Sequence, residues 1–285
     1  MQIITQPIQM QSWSMQQRCA GKRLALVPTM GYFHDGHTSL MTWAKSQADL
    51  LMVSLFVNPT QFGPREDLRQ YPRNLDRDTQ IAEDLGVDVL FMPSAEDMFP
   101  SNHAVWVEAP SLCRGLCAVQ RPTHFRGVAT VVAKLLMLTC PNLAVFGQKD
   151  WQQLAVIQRM VQDLNFPVEI RSRPTVRESD GLAMSSRNVN LDPAERTQAP
   201  TIYSGLRQVQ QWVGDGETEA SLLLAALGEF YAREMPLGRV EYMAIVEPEL
   251  LYPLEEVSGA ALVAVAVQFQ GARLIDNILI NTQGQ

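Results

Sequence analysis

Short, continuous apolar runs recur along the first half of the chain, and they limit the possible folds more than any other feature. The runs cover residues 24–28, 50–57, 87–92 and 143–146. Each is too short to cross a membrane, which takes about 18 apolar residues, and too continuous for a strand with one exposed face. Buried strands of a parallel sheet have this pattern.

Segments with helical periodicity accompany these runs, at residues 36–48, 75–85, 125–138 and 151–164. Strands that alternate with helices predict βαβ units with right-handed crossovers. We therefore expect an α/β fold with a Rossmann-like open parallel sheet and helices on both faces. Ligands of such sheets bind beyond the carboxyl ends of the strands.

The pattern changes near residue 176, where we place a domain boundary. Two helical stretches and three strand-like runs follow, at residues 193–213, 220–233, 240–246, 261–269 and 274–280. A hairpin-like turn that contains Gly271 joins the last two runs. We predict a Rossmann-like domain of residues 1–176 and a smaller α+β C-terminal domain of residues 177–285.

Composition narrows the classes of function. The chain has 285 residues, of which 46% are hydrophobic, and a formal net charge of −7. The apolar content suffices for a buried core, whereas binding along nucleic acid requires clustered Lys and Arg. The first 20 residues lack the features of a secretion signal, and four cysteines are too few for a disulfide framework. We expect a soluble, cytoplasmic protein with no nucleic-acid or membrane partner.

The strongest chemical signal follows the first apolar run, where Met30-Gly31-Tyr32-Phe33-His34-Asp35-Gly36-His37 leads from a strand into a helix. Helix N-termini suit phosphate because of their N–H groups and dipole, and histidines add donors to a triphosphate. In the alternative, His34 and His37 only cap and pack the helix; the position after the first strand favours a functional site. Neither a Gly-x-Gly-x-x-Gly turn after this strand nor a Gly-Lys-Ser/Thr P-loop occurs.

Two further segments have phosphate-binding character. Met184-Ser185-Ser186-Arg187 offers two hydroxyls and a guanidinium in a polar loop, although such loops are also common on ordinary surfaces. Gly147-Gln148-Lys149-Asp150 ends the fourth run, and a Lys at that edge lies where such sheets bind phosphates. Here the alternative is a plain turn in which Asp150 caps the next helix.

Three more segments leave their alternatives open. Asn58 and Gln61, just past the second run, can orient a hydroxylated substrate or form a simple turn. Residues 71–78 are mostly a solvated helix start by composition, in which Asp78 is a candidate Mg²⁺ ligand. Residues 121–127 contain two arginines and a histidine, which can receive an anion, cap the following helix or form an interface.

In this order, these segments and residues 272–277 resemble the pantoate–β-alanine ligase family, over about residues 24–277. Several motifs at matching intervals make the resemblance more specific than any one motif. It implies a Rossmann-like nucleotidyltransferase similar to class I aminoacyl-tRNA synthetases, whose C-terminal domain closes over the site. It also implies that ATP and pantoate form pantoyl adenylate, which β-alanine converts to pantothenate and AMP.

The resemblance assigns roles to individual residues. It implies catalytic roles for His37, His34 and Lys149, with His37 as the proton donor. The residues implied to bind ATP are Met30, Gly31, Tyr32, Phe33, His34, Asp35, Gly36, His37, Gly147, Gln148, Lys149, Asp150, Val176, Met184, Ser185, Ser186 and Arg187.

Pantoate is implied at Gln61 and Gln153, and β-alanine at Gln61 and Asn58. Mg²⁺ with the ATP and a homodimer built through the N-terminal domains are also implied. Two positions depart from the family's usual pattern, since Gln148 replaces a Glu and Ala183 replaces a Lys. The second departure leaves one fewer cation near the triphosphate, so we expect weaker ATP binding or slower turnover than is typical.

Overall fold

The structure, a computed structural model, describes residues 1–63, 68 and 71–282. The chain forms two compact units. The first unit consists of Met1–Ala109, Arg121–Gln148 and Val156–Pro174, and the second unit of Pro110–Gln120, Lys149–Ala155 and Thr175–Gln285. Two short segments of the second unit thus precede residue 176, and the predicted boundary there stays a prediction.

The strands are β1 (Gln2–Ile4), β2 (Leu24–Thr29), β3 (Leu50–Leu55), β4 (Val89–Phe91), β5 (Leu143–Gly147), β6 (Glu169–Arg173), β7 (Arg239–Val246), β8 (Ala260–Gln268) and β9 (Arg273–Asn281). The α-helices are α1 (Pro7–Cys19), α2 (Asp35–Ser46), α3 (Leu75–Asp84), α4 (Ala95–Met98), α5 (Cys117–Gln120), α6 (His124–Thr139), α7 (Trp151–Asp163), α8 (Pro193–Gln198), α9 (Thr201–Gly214) and α10 (Ala220–Glu234). None of these helices is long and apolar enough to cross a membrane.

The first unit contains a parallel sheet with the strand order β1-β4-β3-β2-β5-β6. This order confirms the predicted fold class and places the four predicted strands side by side. The sequence patterns do not predict β1, which has three residues in a Gln-rich segment, or β6, an edge strand of alternating charged residues. The histidine turn follows β2, an inner strand of the sheet.

Helices cover both faces of this sheet, as predicted. Val27 of β2 packs in one cluster with Met41 and Ala44 of α2. Met52 of β3 has its side chain on the opposite face, where its Sδ accepts a hydrogen bond from Ser14 Oγ of α1 (3.7 Å). Successive strand residues point to opposite faces, so α2 and α1 lie on different sides.

The second unit contains an antiparallel sheet of β7, β8 and β9, on which α9 and α10 pack. Its core includes Leu206, Leu227 and Val263. The predicted hairpin between β8 and β9 is confirmed by their antiparallel pairing. The predicted helix of residues 193–213 is wrong in its continuity: Pro200 stands between α8 and α9, and a proline lacks the N–H that a helix interior needs.

Candidate active site

The histidine turn between β2 and α2 has a strained backbone. Gly31 has a φ of +87° and Tyr32 a φ of +53°, and for a residue with a Cβ such angles cost energy. Asp78 of α3 stabilises this shape, because its Oδ2 accepts from Tyr32 N (2.6 Å) and its Oδ1 from Phe33 N (2.8 Å). A Cβ at position 31 would lie 3.1 Å from Asp78 Oδ2. The turn therefore needs both the glycine and the carboxylate.

Asp78 is 1% exposed, so the prediction of a solvated helix start is wrong for this residue. Both of its carboxylate oxygens accept backbone N–H groups. Within the described part of the chain, no group of three or more His, Cys, Asp and Glu side chains is arranged to hold a metal ion. Asp78 as a Mg²⁺ ligand stays a prediction that these contacts do not support.

The two histidines are in contact at the start of α2. His34 is the N-cap, and its Nδ1 accepts a hydrogen bond from Gly36 N (3.1 Å), while His37 Nδ1 accepts one from His34 N (3.4 Å). The ring centroids lie 4.0 Å apart. Because each Nδ1 accepts, the neutral rings carry their proton on Nε2 and donate there. Two such donors beside the positive end of a helix suit an anion.

The turn of Asn58 and Gln61 is buried in the same unit. Asn58 Nδ2 donates to Gln61 Oε1 (3.1 Å) and to Gly127 O (3.2 Å), and Gln61 Nε2 contacts Met30 Sδ at 3.0 Å. The structure thus brings together three of the predicted site residues, Met30, Asn58 and Gln61. One of them belongs to the histidine turn.

The segment that leads into α6 contacts this turn as well. His124 Nδ1 lies 2.8 Å from Gln61 O, and Arg121 Nη2 donates to the same oxygen (3.2 Å). For residues 121–127 the sequence leaves open an anion site, a cap or an interface. The structure shows a further role for this segment, which is to pack against the Gln61 turn.

The segment after β5 is divided between the two units. In the first unit, Gln148 Nε2 donates to Ser172 Oγ of β6 (3.1 Å). In the second unit, Lys149 Nζ lies 3.6 Å from Asp150 Oδ2, and Lys149 O accepts a hydrogen bond from Asn277 Nδ2 of β9 (2.8 Å). The backbone at Lys149 is therefore held by the last strand of the described chain.

The two glutamines that begin α7 differ in their surroundings. Gln152 is buried, donates to Leu112 O (2.9 Å) and Gly115 O (3.0 Å), and accepts from Cys117 N (3.0 Å). Gln153 is half-buried, and its role toward pantoate stays a prediction. Gln152 therefore packs within the unit, and the role predicted for Gln153 does not extend to it.

Residues 176–184 form a tight hairpin in the second unit. Met184 N donates to Val176 O (3.0 Å), and Arg177 pairs with Ala183. Gly181 at its tip has a φ of +95°. Two residues predicted to bind ATP, Val176 and Met184, therefore lie side by side.

A short turn follows this hairpin directly. Asn188 N donates to Ser185 O (3.0 Å), and Arg187 N donates to Ser185 Oγ (3.3 Å). Ser186 is buried. The backbone of the segment predicted to close over a triphosphate is thus held in a turn that directly follows the pairing of Val176 with Met184.

Sequence reasoning missed the group that anchors this hairpin. Both Nη atoms of Arg177 donate to Asp276 of β9 (2.6 and 3.0 Å), and the guanidinium lies 3.4 Å from the centroid of the Tyr203 ring. Asp276 is 3% exposed. The only signal for it lies in the resemblance, which includes residues 272–277 without assigning them a role.

The fold and the site define a class of protein: a Rossmann-like α/β protein in which an inner parallel strand leads into an anion-suited histidine turn. The pantoate-β-alanine ligase family model matches residues 2–279. A pantothenate synthetase of Maridesulfovibrio salexigens is 55% identical over 280 residues, which is 98% of this chain and 99% of the relative.

Two solved structures are similar to the whole chain. The pantothenate synthetase of Thermus thermophilus is 43% identical, with a TM-score of 0.90 and coverage of 98% of this chain and 99% of that one. The pantoate-β-alanine ligase of Francisella tularensis, complexed with β-γ ATP and β-alanine, is 34% identical, with a TM-score of 0.81 and coverage of 98% and 97%. The chain belongs to the pantoate–β-alanine ligase family and is an enzyme of that class.

Proposed function

We propose that the enzyme condenses pantoate with β-alanine in two steps, through pantoyl adenylate. The carboxylate of pantoate attacks the α-phosphate of ATP, and pyrophosphate leaves. The amine of β-alanine then attacks the carbonyl carbon of the adenylate, and AMP leaves with pantothenate as the product. Positioning and charge stabilisation drive such steps, so no covalent enzyme intermediate is required.

The histidine pair is the observation that carries this proposal. Backbone N–H groups occupy Nδ1 of both His34 and His37, which leaves Nε2 as the protonated nitrogen of each neutral ring. Charge grows on phosphate oxygens as pyrophosphate departs, and donors held in advance at that place lower the barrier. His37 is the proposed proton donor, with His34 beside it on the phosphates.

Other residues of the first unit fit the organic substrates. The buried amide of Gln61 is proposed to contact pantoate and β-alanine, and Asn58 holds that amide (3.1 Å) and is proposed to support the β-alanine end. Met30 contacts the same amide. A ligand bound along the histidine turn thus has Gln61 and Asn58, the residues proposed to contact pantoate and β-alanine, beside it in the same unit.

In the second unit, Lys149 is proposed to bind phosphate, Asp150 the ribose and Gln153 pantoate. Val176 is proposed to border the adenine. The segment from Met184 to Arg187 is proposed to bind the triphosphate, and its backbone pairing with Val176 supports one shared nucleotide role.

Magnesium is proposed to enter as part of the substrate, bound to the phosphates of ATP. Mg²⁺ in such sites is held largely by substrate phosphates and water.

The test is to measure pyrophosphate release from Mg·ATP with pantoate, with and without β-alanine, while AMP and pantothenate are followed. Pantoate-dependent pyrophosphate, with AMP and pantothenate only after β-alanine is added, is the expected result. Pyrophosphate that requires β-alanine from the start would contradict the adenylate. A nucleotidyl ester kept as the final product would indicate a nucleotidyltransferase of another kind.

Two substitutions test the proposed catalytic residues in the same assay. His37→Ala and Lys149→Ala are each expected to cut adenylate formation by more than about tenfold, the usual effect of removing a charge-stabilising donor. Thr42→Ala on α2 and Lys22→Ala are the matched controls, because both residues are exposed. Pyrophosphate release at the control rate would remove the residue concerned from the mechanism.

A homodimer and a cytoplasmic location also remain proposals. The mass of the intact protein in solution, measured by light scattering, tests the first.

A further inference from the structure

The backbone carbonyl of Gln61 is held by two side chains from the segment that enters α6. His124 Nδ1 lies 2.8 Å from this oxygen, and Arg121 Nη2 donates to it at 3.2 Å. A carbonyl oxygen has two lone pairs, so these two contacts satisfy its acceptor capacity.

These contacts determine the protonation of His124. A carbonyl can only accept, so Nδ1 must donate to Gln61 O. A guanidinium can only donate, so His124 Nε2 must accept from Arg121 Nη1, which lies 3.3 Å away. His124 is 9% exposed and is therefore the neutral Nδ1–H tautomer, opposite to that of His34 and His37.

The side chain of Gln61 is held from the same direction. Asn58 Nδ2 bridges Gln61 Oε1 and Gly127 O, which lies in the first turn of α6. Gly127 permits this close approach, since a Cβ there would lie 2.5 Å from Thr60 O. The start of α6 thus holds the Gln61 carbonyl directly and the Gln61 amide through Asn58.

We propose that His124 is a positioning residue that, together with Arg121, orients Gln61 toward pantoate and β-alanine. It acts through the Gln61 carbonyl and touches neither substrate. This inference rests on the proposed function, which assigns Gln61 to those substrates.

Two near-isosteric substitutions of His124 differ in whether they keep the hydrogen-bond donor to Gln61 O. An Asn amide reaches the place of the imidazole Nδ1, whereas a Gln amide reaches that of Nε2. His124→Asn keeps the donor to Gln61 O, and we expect its kcat/KM for pantoate within about threefold of the parent. His124→Gln loses that donor, and we expect about a tenfold lower kcat/KM, the effect of one lost buried hydrogen bond. The KM for ATP is expected to change less than about twofold in both.

A double variant distinguishes positioning from general destabilisation. When Gln61→Ala is present, adding His124→Gln is expected to change kcat/KM by less than about twofold, because coupled residues are not additive. Additive losses would overturn the inference and leave the role of Gln61 intact. If Gln61→Ala leaves the KM values for pantoate and β-alanine unchanged, the assignment of Gln61 falls, and this inference falls with it.

The tautomer supplies a readout that needs no activity. In the parent protein labelled with ¹⁵N-histidine, one neutral imidazole is expected to show Nδ1 protonated and Nε2 unprotonated at neutral pH. Loss of that signal in His124→Gln assigns it. A His124 signal of the Nε2–H tautomer or of a doubly protonated ring would overturn the proposed network.

Discussion

Asp78 and Asp276 are both buried carboxylates that hold a segment of the candidate site, one in each unit, but they hold it in different ways. Asp78 is 1% exposed and accepts two backbone N–H groups of the histidine turn. Asp276 is 3% exposed and accepts both Nη atoms of Arg177 and the backbone N of Asn277. Asp78 therefore accepts hydrogen bonds from neutral backbone groups of the turn, whereas Asp276 holds its segment through a cationic side chain.

The difference shows what each segment requires. The histidine turn has a backbone shape that a residue such as Tyr32 disfavours, and Asp78 holds it by accepting hydrogen bonds from the backbone itself. The hairpin of residues 176–184 already has its own backbone pairing. It needs an attachment to the sheet, and a side-chain ion pair from Arg177 provides one.

The largest expected effect is that of Asp78→Ala. Two charge-assisted hydrogen bonds are lost, each contributing roughly 1.5–3 kcal/mol, so we expect adenylate formation to fall about 100-fold. Asp76→Ala in the same helical turn is the control, because Asp76 is exposed. Equal activity of the two variants in the pyrophosphate assay would show that the turn keeps its shape without Asp78.

Removing one partner of the ion pair is expected to affect stability more than activity. Asp276→Ala leaves a largely buried guanidinium and should cost about 3 kcal/mol in the free energy of unfolding, measured with urea. Arg177→Ala together with Asp276→Ala should cost less than the sum of the single changes, because neither charge is then left alone. Strict additivity would mean that the pair is not coupled.

A smaller effect is expected at Asn277, which donates to Lys149 O. Asn277→Ala removes about 1 kcal/mol of hydrogen bonding, and we expect kcat/KM for ATP to fall roughly fivefold. Leu279→Ala is the control, because Leu279 is an exposed residue of the same strand. A loss confined to unfolding free energy, with unchanged kinetics for ATP, would contradict a link from β9 to the residues proposed to bind the nucleotide.

The smallest effect concerns pH. Burial raises the pKa of Asp276 above its ordinary 3.8, against the opposing effect of Arg177. Burial also acts to raise the pKa of Asp180 in the hairpin, but hydrogen bonds from Arg196 and Leu182 N outweigh it and hold the pKa below 3.8. The contribution of Asp276 to the free energy of unfolding therefore falls as pH rises through its raised pKa. The contribution of Asp180 falls as pH decreases through its lowered pKa.

Two variants test these opposite signs by urea unfolding between pH 3 and pH 6. Relative to the parent, the deficit of Asp180→Asn should grow as pH rises and stay below about 1 kcal/mol, as for other partly exposed pairs. The deficit of Asp276→Asn should shrink over the same range. If both deficits changed in the same direction with pH, the opposite pKa shifts of Asp180 and Asp276 would be contradicted.

Much of the fold was predictable because its strongest signals are local. The runs that became β2 to β5 are continuous and apolar, and the helices between them have clear periodicity, so the parallel sheet followed from known rules of connection. β1 and β6 were not predictable in this way. Three residues and a charged edge strand form strands only because β4 and β5 offer them partners.

The candidate site likewise has a part that local sequence predicts and a part that it does not. His34 and His37 are three residues apart, so their contact at the start of α2 follows from the helix itself. The sequence also identifies Asn58 and Gln61 as polar residues at a strand end. It offers no reason to join either group to Asp78 or His124, which arrive from separate helices.

The sequence by itself determined the α/β class, the central strands and the histidine turn, because apolar runs, periodicity and adjacent residues act over short distances along the chain. Only the tertiary structure decided which buried polar group stabilises each segment: Asp78 for the histidine turn, His124 for the Gln61 turn and Asp276 for the hairpin. Hydrogen bonds of this kind depend on ångström-scale placement of groups that are tens of residues apart, and that placement exists only once the sheets and helices have packed.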